Sequence, residues 1–125
     1  MRKKHTLAVI ALSILVFIST ACTPAQNRSY ALNEFRKAGA SEQTVRYFDC
    51  VGYRESRWQA NATHKNSNGT YDLGLFQINS IHQSKFAQVT GHDYWKYATN
   101  PKYNVQYAIY LWRVAGTSPW RGPGC

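Results

Sequence analysis

The sequence predicts a mainly helical α+β fold with a small β-hairpin region set between helices. Three observations carry that expectation. Apolar residues recur at helical spacing behind Ser41 and again behind Pro101. Between these stretches, Asn66-Ser67-Asn68-Gly69 is a turn cluster flanked by two short segments, Ala60 to Lys65 and Thr70 to Leu73, that fit the arms of a hairpin. At 125 residues the chain has room for at most one domain.

The chain opens on a basic start, Arg2, Lys3 and Lys4. An apolar run from Leu7 to Ile18, broken only by Ser13, follows, and then Ser19, Thr20, Ala21 and Cys22. This is the layout of a secretory signal peptide over residues 1–21, and the run is short for a bilayer span. An uncut N-terminal membrane anchor is the alternative. Two cleavage readings stay open. Ser19-Thr20-Ala21 suits an ordinary signal peptidase. Ile18 to Cys22 resembles a bacterial lipobox, with Ser19 where Leu, Val or Ile is usual. The lipobox is the favoured reading, with Cys22 lipidated and the membrane a partner through that anchor. One acyl chain alone holds a protein weakly. The expected location is then the cell envelope as a membrane-anchored lipoprotein, or otherwise a secreted or periplasmic one. Three cysteines are an odd number for an exported protein. If Cys22 takes lipid, Cys50 and Cys125 remain to bridge in an oxidising compartment.

Residues 22–29 are polar with one proline and read as a tether, leaving residues 30–125 as the domain. Tyr30 to Ala38 is expected as a first helix closed by Gly39. Ser41 is a good N-cap for a second helix reaching about Ser56. On that helix Val45, Phe48, Val51, Gly52 and Glu55 share one arc, and Glu42, Arg46, Asp49 and Tyr53 share the other. Glu55 therefore falls on the apolar face near the helix C-terminus. Desolvation and the helix dipole would there both disfavour a charged carboxylate. The competing reading is that Glu55 reaches solvent or pairs with Arg54 or Arg57. After the hairpin, Leu73 to Ile78 continues as strand or tight turn, and a helix begins after Ser80. Gly91 to Tyr97 reads as loop. Thr99-Asn100-Pro101 opens a last long helix with Val105, Ala108, Trp112 and Ala115 on one face, ended by Gly116. The remainder is an irregular tail.

The formal net charge is +9; residues 1–21 carry three basic and no acidic residues, so the rest carries +6. For an exported protein this points to an anionic envelope rather than to nucleic acid. Acid–base chemistry must choose among Glu34, Glu42, Asp49, Glu55, Asp72, Asp93 and the histidines. Glu55 and Asp72 lie 17 positions apart, one ending a helix and the other on or after a hairpin, and a hairpin folded back beside a helix end can hold both against one cleft. Glycoside hydrolysis needs two unequal carboxyls of this kind. One gives a proton to the leaving oxygen, and the other stabilises or attacks the cationic sugar carbon.

Glu55-Ser56-Arg57-Trp58, Ala62-Thr63 and Asn68-Gly69-Thr70-Tyr71-Asp72-Leu73-Gly74-Leu75-Phe76-Gln77-Ile78-Asn79-Ser80 together resemble the catalytic core of the lysozyme-like superfamily. Both its c-type lysozymes and its bacterial lytic transglycosylases are similar here. The resemblance is tight from Cys50 to Ser80, and Asn100-Pro101-x-x-Asn104-Val105 and Trp120 extend it loosely. It implies a lysozyme-like fold and cleavage of peptidoglycan strands between N-acetylmuramic acid and N-acetylglucosamine, without a cofactor. In that frame Glu55 matches the general acid and Asp72 the second carboxylate, the unequal pair for which lysozyme is the standard case. Gln77, Asn79 and Trp120 match residues lining the sugar cleft, Ser56 matches a residue beside the acid, and the Cys50–Cys125 pairing gains support. The chain departs from the pattern in lacking Ala-Tyr-Asn-Ala-Gly of many transglycosylases and most of the c-type cysteines. Hydrolysis and anhydro-forming transglycosylation both stay open. So does a glycan-binding protein without turnover.

His64, His82 and His92 lack metal-ligand spacing, and no phosphate loop, nucleophile elbow or zinc pattern is present. The sequons at Asn61 and Asn68 are incidental in a bacterial lipoprotein. A basic nucleic-acid binder is the remote third reading. Protein partners and physiological role are not legible.

Overall fold

The computed structural model describes residues 22–125, and the expected signal peptide lies outside them. Their elements run in the order α1 (Pro24–Lys37), α2 (Glu42–Ser56), β1 (Thr63–Lys65), β2 (Tyr71–Leu73), β3 (Ile78–Asn79), a 3₁₀ turn (Ser80–His82), α3 (Gln83–Thr90), α4 (Tyr94–Tyr97), α5 (Pro101–Ala115) and a second 3₁₀ turn (Ser118–Trp120). The fold is the mainly helical α+β arrangement expected, with one small antiparallel sheet ordered β1-β2-β3. His64 pairs with Asp72, and Asp72 in turn with Asn79. No helix among the described residues is long and apolar enough to cross a membrane.

The first correction concerns residues 22–29. They form the opening turns of α1 rather than a tether. Thr23 caps the helix, its hydroxyl accepting from Gln26 N while Gln26 Oε1 accepts from Thr23 N, and Pro24 fills the first turn. That is a capping box, a start signal legible in Thr-Pro-Ala-Gln. Tertiary contacts then hold these turns. Arg28 grips Asp49 of α2 with two hydrogen bonds, and buried Asn27 donates to the Trp58 carbonyl. Only Cys22 and Thr23 precede the helix among the described residues.

Ser41 caps α2 as expected, and Val45, Phe48, Val51 and Gly52 are buried. Phe48 stacks on Phe35 of α1 with ring centres 4.2 Å apart and meets Phe76, Trp112 and Trp120 edge-on. One aromatic cluster thus joins both N-terminal helices, the loop after β2, α5 and the tail. Gly52 has no room for a side chain, because the Trp58 indole occupies that space. Trp58 reaches it through two consecutive left-handed residues, Arg57 at φ 50° and Trp58 at φ 61°. Such backbone is costly for bulky side chains and persists only where its surroundings hold it.

Two further expectations change. Gly91 to Tyr97 contains the short helix α4, capped by Asp93, whose buried Tyr94 hydroxyl donates to the Ile78 carbonyl. On α5, Ala115 is exposed and Trp112 half-buried, while Asn104, Tyr107, Ile109 and Leu111 join Val105 and Ala108 inside. The helix is covered on more than one side, by α1, by α3 and by the tail turn, so a single stripe understates it.

Asn104 is the polar pin of this packing. It is fully buried, accepts from Phe76 N, and donates to the carbonyls of Leu73 and Ala98. Gly74 leaves room for that amide. Asn104→Ala would strand three buried backbone groups. The expected result is a loss of about 2–3 kcal/mol in urea unfolding, reduced from a larger sum by local relaxation and water entry. A loss below about 0.5 kcal/mol would contradict this role for the side chain.

Candidate active site

Glu55 and Asp72 line the same cleft, a cavity of about 420 Å³. Phe76, Gln77, Ile78, Asn79, Ile81, His82, Leu111, Pro119 and Trp120 complete its wall. Helix α2 brings Glu55 as its penultimate residue, strand β2 brings Asp72, and the tail turn closes over the far side with Trp120. A larger groove of about 590 Å³ runs between α1 and α5, but Glu34 is its one carboxylate. Of these two cavities, the smaller is the one lined by a pair of carboxyls.

The two carboxyls are held differently. Asp72 sits in the sheet, with Asn79 Nδ2 donating to Oδ1 at 2.7 Å and Asn66 Nδ2 donating to Oδ2 at 3.0 Å. Both its oxygens accept, which suits a group acting as a carboxylate. Thr70 Oγ1 accepts from the same two amides, so the hairpin turn braces the acid. Glu55 has about a quarter of its side chain exposed. Its Oε1 accepts from Arg54 Nε at 3.2 Å and from Arg54 Nη2 at 2.8 Å. Of the two readings of Glu55, the pairing with Arg54 is the one found, at the edge of the cleft. A helical wheel places Cα atoms and is blind to where a long guanidinium folds.

Three other candidate site residues are hydrogen-bonded inside the protein. Ser56 is buried and does not line the cleft. Its hydroxyl donates to Gly52 O and accepts from Trp58 N, so it fastens the strained turn that ends α2. Gln77 and Asn79 do line the cleft, but their amide N–H groups are spent inside the protein. Gln77 Nε2 donates to the carbonyls of Ala62 and Gly74. Asn79 Nδ2 serves Asp72 and Thr70, while its Oδ1 accepts from Ile81 N. Both shape the wall rather than offer free donors. Gln77 also carries a left-handed φ of 49°. Trp120 lies in the cleft wall, its indole donating to the Phe76 carbonyl.

His82 was passed over in the sequence because it has no ligand spacing, yet it faces this cleft. Its Nδ1 lies 3.0 Å from the Tyr107 hydroxyl. Burial pushes the imidazole below its usual pKa of 6.5 and the Tyr107 phenol up to about 12, so both are neutral near pH 7. The readable signal was position, two residues beyond Ser80 on the same wall as Asp72. Among the described residues no cluster of His, Cys, Asp and Glu could hold a metal ion.

Cys50 and Cys125 form a disulfide with Cα atoms 5.8 Å apart. Cys22 is free and exposed.

Two lysozymes are similar in sequence to part of this chain. Lysozyme c-1 of Anopheles gambiae is 32% identical over 72 residues, 54% of this chain and 51% of that protein. A lysozyme of Bombyx mori is 38% identical over 73 residues, 58% and 52% of the respective chains. The chain spans about half the length of the curated relatives it matches. The profile of the lysozyme-like domain matches residues 32–121, from within α1 to just past Trp120. The chain belongs to the lysozyme-like domain family.

Proposed function

We propose that this protein is a peptidoglycan-cleaving glycosidase acting on the β-1,4 bond between N-acetylmuramic acid and N-acetylglucosamine. The observation that carries the reading is the pair of unequally held carboxyls, Glu55 and Asp72, in one cleft. In this mechanism Glu55, protonated, gives its proton to the glycosidic oxygen as the bond to the sugar carbon breaks. Asp72, an acceptor on both oxygens, stabilises or attacks the cationic carbon, and water completes hydrolysis. In the transglycosylase alternative the muramic 6-hydroxyl attacks and Glu55 takes its proton. Asn66 and Asn79 each donate to one oxygen of Asp72, which holds a carboxylate at the cleft and supports the hydrolysis reading. The substrate is an envelope polymer, so we place the protein outside the cytoplasm, exported by residues 1–21 and anchored through Cys22.

A second reading has an observation of its own. The Arg54 pair occupies the proton donor, which suits a glycan-binding protein without turnover.

Mass spectrometry of purified peptidoglycan digested with the oxidised protein tests these readings. Reducing muramic ends are expected. Anhydro ends would move the protein to the transglycosylases. Intact glycan strands after incubation with folded protein would leave the binding reading.

A further inference from the structure

We infer that Arg54 is a positioning residue for the proton donor, assigning the two oxygens of Glu55 different tasks. Oε1 is anchored and Oε2 carries the proton into the cleft. The inference rests on the glycosidase reading above.

Arg54 and Glu55 are neighbours on α2, and adjacent helical residues do not face each other. Their contact is therefore imposed from outside the helix. The tail imposes it, because Arg54 Nη2 also donates to the Trp120 carbonyl at 2.6 Å. Tyr47, two turns earlier on α2, donates to the same carbonyl at 3.4 Å. The guanidinium thus spans the acid and the tail residue lining the acid's cleft. Its planar fork cannot serve both and satisfy every N–H. The remaining nitrogen, Nη1, is buried without a hydrogen-bond partner beneath Gly122. It is the one buried side-chain nitrogen or oxygen without a hydrogen-bond partner among the described residues, and such a donor calls for a reason. The reason here is that Nε and Nη2 converge on Oε1.

Two N–H donors on one oxygen leave no place for a proton there. The proton must sit on Oε2, which no donor reaches among the described residues. When Oε2–H passes its proton to the glycosidic oxygen, the C–O electron pair goes with the leaving sugar and Glu55 becomes a carboxylate. Its bonds from Arg54 become fully charge-assisted at that moment and strengthen. Interactions stronger in the transition state than before it are those that speed the step.

Arg54→Met, Arg54→Lys and Tyr47→Phe test this, each with kcat and KM on peptidoglycan. Arg54→Met is expected to lower kcat by about 30-fold to 100-fold with KM changed less than about twofold, the pattern of a misplaced catalytic group. Arg54→Lys recovers part of kcat. Tyr47→Phe removes only the other bond to the Trp120 carbonyl and leaves kcat unchanged. An unchanged kcat in Arg54→Met, an equal loss in Tyr47→Phe, or a loss confined to KM overturns the inference while the active wild type keeps the glycosidase reading. Wild-type protein that turns over nothing overturns both. Where Arg54→Met fails to fold, Arg54→Lys decides: an intermediate kcat with unchanged KM supports positioning, and full kcat overturns it.

Discussion

Glu55→Gln is expected to lower peptidoglycan turnover by about 10³-fold while leaving glycan affinity within about twofold. The amide keeps the size and most of the polarity of the acid. It keeps an oxygen that can accept from Arg54 where Oε1 now does, so the wall of α2 and the tail bond to Trp120 should survive. What the amide lacks is a transferable proton. General acid catalysis contributes about 10²–10⁴-fold, and Glu55 is the one acid at the cleft besides Asp72, whose oxygens are both engaged by amides. Turnover by digestion and affinity by calorimetry on short glycan fragments separate the two quantities. A variant as active as wild type would remove Glu55 from the chemistry. A variant losing affinity in step with turnover would make it a binding residue.

How much of this site was legible can be traced residue by residue. The chemistry-bearing set was visible because it is local: Glu55 to Ser80 lies in one contiguous stretch, with the turn residues between its acids. The turn cluster Asn66 to Gly69 marks the hairpin, so Asp72 falls on or after it; the register opposite His64 comes from the structure. What sequence could not supply was the partner of each polar atom. Ser56 lies next to the acid in the chain, yet its hydroxyl points back along the helix to Gly52. Gln77 and Asn79 look like sugar-binding amides, but nearby carbonyls and a carboxylate compete for the same N–H groups and win. Pairing of Glu55 with Arg54 or Arg57 is one of the readings the sequence offers; Arg54 is the partner found, and it also holds the Trp120 carbonyl 66 residues away.

The helix boundaries show the same division. The N-caps at Ser41, Asp93 and Asn100 are local chemistry, and so is the capping box at Thr23 that a polar composition concealed. The polar composition of residues 22–29 suits a tether, but the cap at Thr23 starts a helix there. Their attachment depends on Asn27 reaching Trp58 and Arg28 reaching Asp49, contacts that appear only once α1 lies against α2. Those opening turns therefore help support the strained corner after Glu55.

Loss of the Cys50–Cys125 disulfide is expected to cost about 4 kcal/mol, measured by urea unfolding of Cys125→Ser against its parent. The bridge spans a sequence separation of 75, and closing so long a loop removes much freedom from the unfolded chain. Domains of this size hold about 5–15 kcal/mol in all, so a substantial part of the margin goes with the bridge. Cys22 is free and exposed, so Cys22→Ser should accompany both proteins to prevent exchange. The bridge also has a local consequence. Cys125 lies five residues after Trp120, whose ring packs on Phe48 and Phe76 and whose carbonyl holds Arg54. Without the bridge, Trp120 keeps its burial but loses the tie that returns the tail to α2 one turn before Arg54. Well below its unfolding midpoint, the variant should therefore lose kcat along with stability. A stability loss under about 1 kcal/mol would show that the unfolded chain gains little from release. Full kcat in a destabilised variant would show that aromatic packing alone seats the tail, and that Arg54 needs no covalent help to reach the Trp120 carbonyl.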